Sequence, residues 1–145
     1  MSELKYEALK LENQLCFPLY AASREVVKKY RSHLDALGIT YTQYITMMVM
    51  WETGSTTVKS LGERLFLDSG TMTPVLKSLE AKGYVKRMRS TDDERSVIVE
   101  LTNDGAALKD AAVRIPFKVA ECVGLTADEA GQLYRLLYKI LNTSD

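Results

Sequence analysis

Chemistry in this chain has little to work with beyond two thiols. Cys16 and Cys122 stand 106 positions apart, and His33 is the sole histidine. One imidazole and two distant cysteines do not make a zinc site, nor a Ser-His or Cys-His dyad. No glycine-rich phosphate loop is present either. Neither an enzyme nor a metal or cofactor site is therefore expected, and His33, followed by Leu34 and Asp35, reads as a solvated residue near a helix end. What remains is thiol chemistry, in which a free cysteine can be oxidised stepwise from sulfenic acid upward. The ordinary role of a free cysteine is that of a small buried hydrophobe. Glu12, one turn before Cys16, opposes a thiolate there. Residue types alone leave Cys16 open between the two roles.

A second group of polar side chains suits recognition of nucleic acid. In 67–83, Met72, Val75, Leu76 and Leu79 recur at i, i+3, i+4, i+7 and predict one buried helix face. Ser69, Thr71, Thr73 and Lys77 are left outside that face, either as the solvated side of an ordinary amphipathic helix or to enter a major groove. Pro74 requires the helix to begin only a few residues earlier. Asp68, Ser69, Thr71 and Thr73 are all competent N-caps, and Gly83 suits a left-handed C-terminal position. Upstream, Thr57 can cap a short helix with Val58, Leu61 and Leu65 apolar, while Gly62 lets a second helix approach. Downstream, 84–89 and 97–101 read as strands around the polar turn 90–96. A helix-turn-helix followed by a hairpin is a winged helix. Its wing tip would carry Arg95 toward a minor groove, oriented by Asp93. The net charge is zero, but 59–91 holds seven basic residues against three acidic ones, a modest electrostatic footprint for DNA.

The flanking segments must position this unit. Residues 5–37 carry Leu9, Leu11, Leu15, Leu19, Tyr20, Val26, Val27, Tyr30, Leu34 and Leu37, a long helical pattern buried on more than one side. Pro18 should kink it. Thr40 and Gln43 form a capping box for a helix to Trp51, with Tyr44, Ile45, Met47, Met48 and Met50 packed inside. A further helix runs from Ala106 to about Ile115, is interrupted by Pro116, and resumes over 117–123. Thr126 and Glu129 cap the last helix, with Leu133, Leu136, Leu137, Ile140 and Leu141 along it. The terminal helices hold more apolar surface than a small winged helix can cover, which predicts a two-fold dimer. The expected fold class is mainly α with a small β-hairpin. The single 145-residue chain would hold a winged helix-turn-helix over 40–102 and dimerisation helices over 5–37 and 103–143. No apolar run is long enough to span a membrane and the N-terminus is unlike a signal peptide, so a cytoplasmic location is expected, with both cysteines as thiols.

The segment Asp93-Glu-Arg-Ser-Val-Ile-Val-Glu-Leu-Thr102 resembles the wing of the MarR family of transcriptional regulators. Leu67-Asp-Ser-Gly-Thr-Met-Thr-Pro-Val-Leu-Lys77 is similar to the recognition helix of its organic-hydroperoxide-sensing, OhrR-type branch, and Glu12-Asn-Gln-Leu-Cys-Phe17 to the segment bearing that branch's reactive cysteine. The resemblance implies a homodimeric repressor on a pseudo-palindromic duplex operator, with an organic hydroperoxide as inducer. It implies that Cys16 is the redox sensor and that Tyr30 and Tyr41 hydrogen-bond its sulfur. Cys122 lies where two-cysteine members keep a second thiol; it either resolves oxidised Cys16 as a disulfide or is a packed structural thiol. Cys16 and Tyr30 are fourteen residues apart, about 21 Å along one helix, so such a pocket would be shared between chains. Two alternatives remain: a MarR-type regulator gated by a small aromatic ligand with Cys16 merely packing, and, less favoured, a thiol peroxidase on a winged-helix fold.

Overall fold

A computed structural model describes residues 2–143. The apolar pattern of 5–37 does not form one helix. A short helix α1 (Ser2–Tyr6) leads into two 3-10 turns, Glu7–Leu9 and Leu11–Asn13. Amide side chains hold these turns together: Asn13 donates to the Glu7 carbonyl at 2.8 Å and Gln14 to the Ala8 and Lys10 carbonyls at 2.6 and 2.8 Å. The long helix α2 then spans Cys16–Asp35. Pro18 lies in its first turn, where an N–H has no intrahelical acceptor, so the expected reason for a kink disappears. Gly38, at φ 69°, closes the far end, with Gly38 N–H donating to Asp35 and Ile39 N–H to Leu34.

Helix α3 (Tyr41–Thr53) starts at the expected capping box. Tyr44, Met47 and Met50 are buried as anticipated, but Met48 is 41% exposed. It lies one turn before Glu52, which is exposed too, so the C-terminal half of α3 leaves this face to solvent. Strand β1 (Ser55–Thr57) was not expected. Three polar residues carry no alternation, and the strand exists because β3 accepts it as a neighbour. After α4 (Val58–Leu65) and α5 (Ser69–Ala81) come β2 (Val85–Arg89) and β3 (Val97–Leu101). The hairpin is thus part of a three-stranded antiparallel sheet in the order β1-β3-β2. Thr56 faces Val99 across one edge and Arg87 faces Val99 across the other.

Thr102 caps α6 (Asn103–Ala112), and Pro116 is the second residue of α7 (Ile115–Val123). The proline therefore opens a helix rather than interrupting one. Gly105 is required by packing, because a Cβ there would collide with the Tyr84 carbonyl. Helix α8 (Ala127–Leu141) has the expected capping box and no buried residue. Two cores result. Met47, Met50, Leu61, Met72, Leu76, Leu79, Val85 and Val99 join α3, α4, α5 and the sheet. Leu34, Ile39, Tyr44, Ala112, Ile115 and Val119 join α2, α3, α6 and α7. Among the described residues, no helix is long and apolar enough to cross a membrane.

Candidate nucleic-acid interface and thiol site

Asp68 settles where α5 starts. Its Oδ1 accepts the Thr71 N–H at 2.7 Å, and this bond holds the carboxyl below the usual carboxylate range. Met72, Leu76 and Leu79 are fully buried, which fixes the rotation of the helix. Ser69, Thr71 and Lys77 face solvent in consequence. Thr73 is half-buried and donates its hydroxyl to the Ser69 carbonyl at 2.8 Å. Pro74 gives no N–H to the carbonyl one turn back, a bond the helix does without. At the other end Gly83, at φ 83°, completes a Schellman turn, with Tyr84 N–H donating to Leu79 and Gly83 N–H to Glu80.

The turn between α4 and α5 depends on Gly62. The intimate contact is with the turn backbone rather than with the body of the second helix. A Cβ on Gly62 would stand 2.6 Å from the Leu67 carbonyl oxygen and 3.6 Å from Met72 Cγ. The wing is tied to α5 through Glu80, which accepts the Arg87 N–H at 2.8 Å and its guanidinium at 3.1 Å. Those two donors lower the Glu80 carboxyl's affinity for a proton. At the wing tip Ser90 N–H donates to the Ser96 carbonyl at 2.9 Å. Asp93 accepts the Arg95 backbone N–H at 3.0 Å and the Ser96 hydroxyl at 3.3 Å. Asp93 therefore shapes the turn that presents Arg95, acting on the backbone of that residue. Arg95 itself is exposed. Between the helices and the wing runs a groove of about 970 Å³ whose lining includes Lys59, Ser69, Thr73, Arg87, Asp93 and Arg95. Cationic and hydroxyl groups along such a groove suit a phosphate backbone and base edges.

Cys16 is the first residue of α2 and is exposed. Its position is the end of a helix where backbone N–H groups lack intrahelical partners. Tyr30 and Tyr41 meet edge to face with ring centroids 5.0 Å apart. Tyr44, which the sequence reading placed only in the core, joins them at 5.7 and 6.2 Å. Burial raises the pKa of Tyr30. Burial and then the neighbouring Tyr30 raise Tyr41, and the same causes push Tyr44 up to about 12. All three are neutral phenols at physiological pH, able to donate a hydrogen bond. The structure thus brings Tyr30 and Tyr41 together, while Cys16 stands at the opposite end of α2, roughly 21 Å away along the helix axis. Cys122, on α7, is likewise exposed. Lys10, Leu11, Glu12, Gln14, Phe17 and Pro18, on either side of Cys16 in sequence, line a cleft of about 540 Å³.

A recognition helix with a solvated hydroxyl and lysine face, a tight glycine-dependent turn and an arginine-tipped wing define a winged-helix DNA-binding protein. A family model described as transcriptional regulator SarA/Rot matches residues 28–112. The organic hydroperoxide resistance transcriptional regulator of Bacillus subtilis is 50% identical over 141 residues, covering 97% of this chain and 96% of that protein. AbfR of Staphylococcus epidermidis, solved reduced on DNA, superposes with a TM-score of 0.78 at 38% identity, over 94% of this chain and 96% of that one. Its disulfide form gives 0.63 at 37% identity, over 97% and 96%. A cysteine-to-serine variant of MarR from E. coli on operator DNA gives 0.79 at 28% identity, over 88% and 93%. The chain belongs to the MarR family of winged-helix transcriptional regulators, in the branch of the organic hydroperoxide resistance regulators. It is a DNA-binding regulator of transcription and not an enzyme.

Proposed function

We propose that the protein is a homodimeric repressor that leaves its duplex operator when an organic hydroperoxide oxidises Cys16. The observation that carries this reading is the placement of an exposed Cys16 at one end of α2 and a neutral Tyr30–Tyr41 pair at the other. A second, antiparallel copy of α2 would bring each sulfur to the tyrosines of its partner. Uncovered apolar side chains support that copy: Leu15 at 78% exposure, Phe117 at 70% and Ile140 at 52%. Large apolar side chains left this exposed on both terminal segments suit an interface with a second copy.

In the chemical step the Cys16 sulfur attacks the distal peroxide oxygen and the O–O bond breaks. The alcohol leaves with the proton. The sulfur, oxidised by two electrons as the peroxide is reduced by two, becomes a sulfenic acid. Tyr30 and Tyr41 hold the sulfur by hydrogen bonds. A second thiol then displaces water and closes a disulfide, and Cys122 is the protein's own source of one. Forcing oxygen or a second sulfur into a packed pocket costs about 1–3 kcal/mol, enough to weaken operator binding about tenfold. On DNA, Ser69, Thr71, Thr73 and Lys77 address the major groove and Arg95, presented by Asp93, the minor groove. Bound half-sites related by the dimer axis imply a pseudo-palindromic operator.

The test is an operator titration, on a duplex selected from a random pool, before and after one equivalent of cumene hydroperoxide. Wild type should release. Cys16→Ser should bind when untreated and stay bound afterwards, since serine keeps a hydrogen-bonding atom but cannot form a sulfenic acid. Release of Cys16→Ser by hydroperoxide would overturn the reading.

A further inference from the structure

Only Gln43 and Thr46 are buried polar side chains among the described residues. Thr46 is satisfied within its own helix, by the Thr42 carbonyl at 2.7 Å. Gln43 reaches across the fold. Its Oε1 accepts the Thr40 N–H at 3.0 Å and Lys82 Nζ at 3.0 Å, while its Nε2 donates to Ser78 Oγ at 2.8 Å. Lys82 Nζ also donates to the Gly38 carbonyl at 2.6 Å. The amide orientation is fixed by this set, because the Thr40 N–H and the Lys82 ammonium can only donate; a flipped amide would set NH₂ against two donors. One 6%-exposed side chain thus joins the turn that starts α3 to the C-terminal half of α5.

The elements at the two ends are the ones that sensing and reading would use. Thr40, whose cap Gln43 completes, immediately precedes Tyr41, and Tyr44 directly follows Gln43. Tyr41 and Tyr44 both pack on Tyr30. Ser78 lies on the last turn, and Lys82 is the C-cap, of the helix whose first turns carry Ser69, Thr71 and Thr73. Stripping a buried amide of its partners is costly. The start of α3 and the end of α5 are therefore held to move as one body. Met47, Met50, Leu76 and Leu79 share one core and give the joint stiffness, but apolar contacts can slide, whereas an amide held by three hydrogen bonds specifies one register.

We propose that Gln43 is a positioning residue that couples the tyrosine pair to the recognition helix, so that displacement of Tyr41 on oxidation tilts α5 through Ser78 and Lys82. The inference rests on the redox reading given above. It is tested by the ratio of operator affinities before and after hydroperoxide, alongside thiol titration of Cys16 and thermal unfolding. Wild type should lose at least about tenfold on oxidation, within the usual range of coupling between sites. Gln43→Met should lose less than about threefold while Cys16 still reacts with one equivalent. Gln43→Glu should keep the wild-type ratio, since a carboxylate accepts from Thr40, Lys82 and the Ser78 hydroxyl alike. Ser78→Ala combined with Lys82→Met leaves the capping box intact, and it too should lower the ratio. That double variant decides alone if Gln43→Met fails to fold. A merely structural role would weaken both affinities equally and leave the ratio unchanged, and that result would overturn the proposal. If the wild type itself keeps its affinity on oxidation, the redox reading falls and the coupling falls with it.

Discussion

Replacing Ile140 by alanine isolates what the uncovered face of α8 contributes to assembly. The change deletes three carbon groups, worth roughly 2.4 kcal/mol if fully withdrawn from water. In the single chain the residue is 52% exposed, so about 1.2 kcal/mol remains for a partner to recover. Two-fold symmetry removes the side chain twice per dimer, about 2.5 kcal/mol, which raises the dimer dissociation constant roughly 60-fold. The chain's own fold should be little affected, because α8 has no buried residue to lose. Sedimentation velocity over a dilution series reads the constant, and far-ultraviolet circular dichroism checks that helicity is kept. A change below about threefold would refute the reasoning, as would a wild-type chain that sediments as a folded monomer at micromolar concentration.

Gly62→Ala should lower the denaturation midpoint by the equivalent of about 1–3 kcal/mol, since its Cβ would press on the backbone carbonyl of Leu67 at 2.6 Å and the turn between α4 and α5 cannot yield cheaply. Stability should fall in acid as well. Asp68, Glu80 and Glu129 have depressed folded-state pKa values caused first by backbone N–H bonds, so their contribution is present above the ordinary carboxylate pKa of about 4 and is lost as pH drops through the folded values. Asp68→Asn keeps the capping oxygen without titrating, and denaturant midpoints below about pH 4 should then fall less steeply. The alkaline side has the opposite sign: Tyr44 is raised to about 12, so the folded state holds its proton where the unfolded chain does not, and stability declines as pH rises above about 10. Phenolate absorbance and unfolding should report this together, and Tyr44→Phe should flatten the decline.

Much of the winged helix was legible because local physics decides it. A 3.6-residue apolar period, threonine caps and positive-φ glycines act over a few residues, so α5, the capping boxes at Thr40 and Thr126 and the turn at Gly83 all stand where the pattern puts them. Competing local signals were decided only by the fold. Asp68 became the cap of α5 over three other candidates because burial of Met72, Leu76 and Leu79 set the helix phase. Leucine spacing ran on through 5–15, yet amide-to-carbonyl bonds from Asn13 and Gln14 close turns there, and Pro18 lies at a helix start rather than in its middle. Strand β1 has no signature of its own, because its three polar residues are extended by pairing with β3. Met48 looked like core since hydrophobicity says that a side chain prefers burial and not which element covers it. Gln43 shows the same limit most clearly. Its spacing from Thr40 announces a cap, but the 35-residue reach of its amide to Ser78 exists only once α3 and α5 are packed together. The sequence determined which residues could do chemistry and which helix faces the core. Tertiary structure decided which of those residues meet, because such meetings depend on packing between elements distant in the chain.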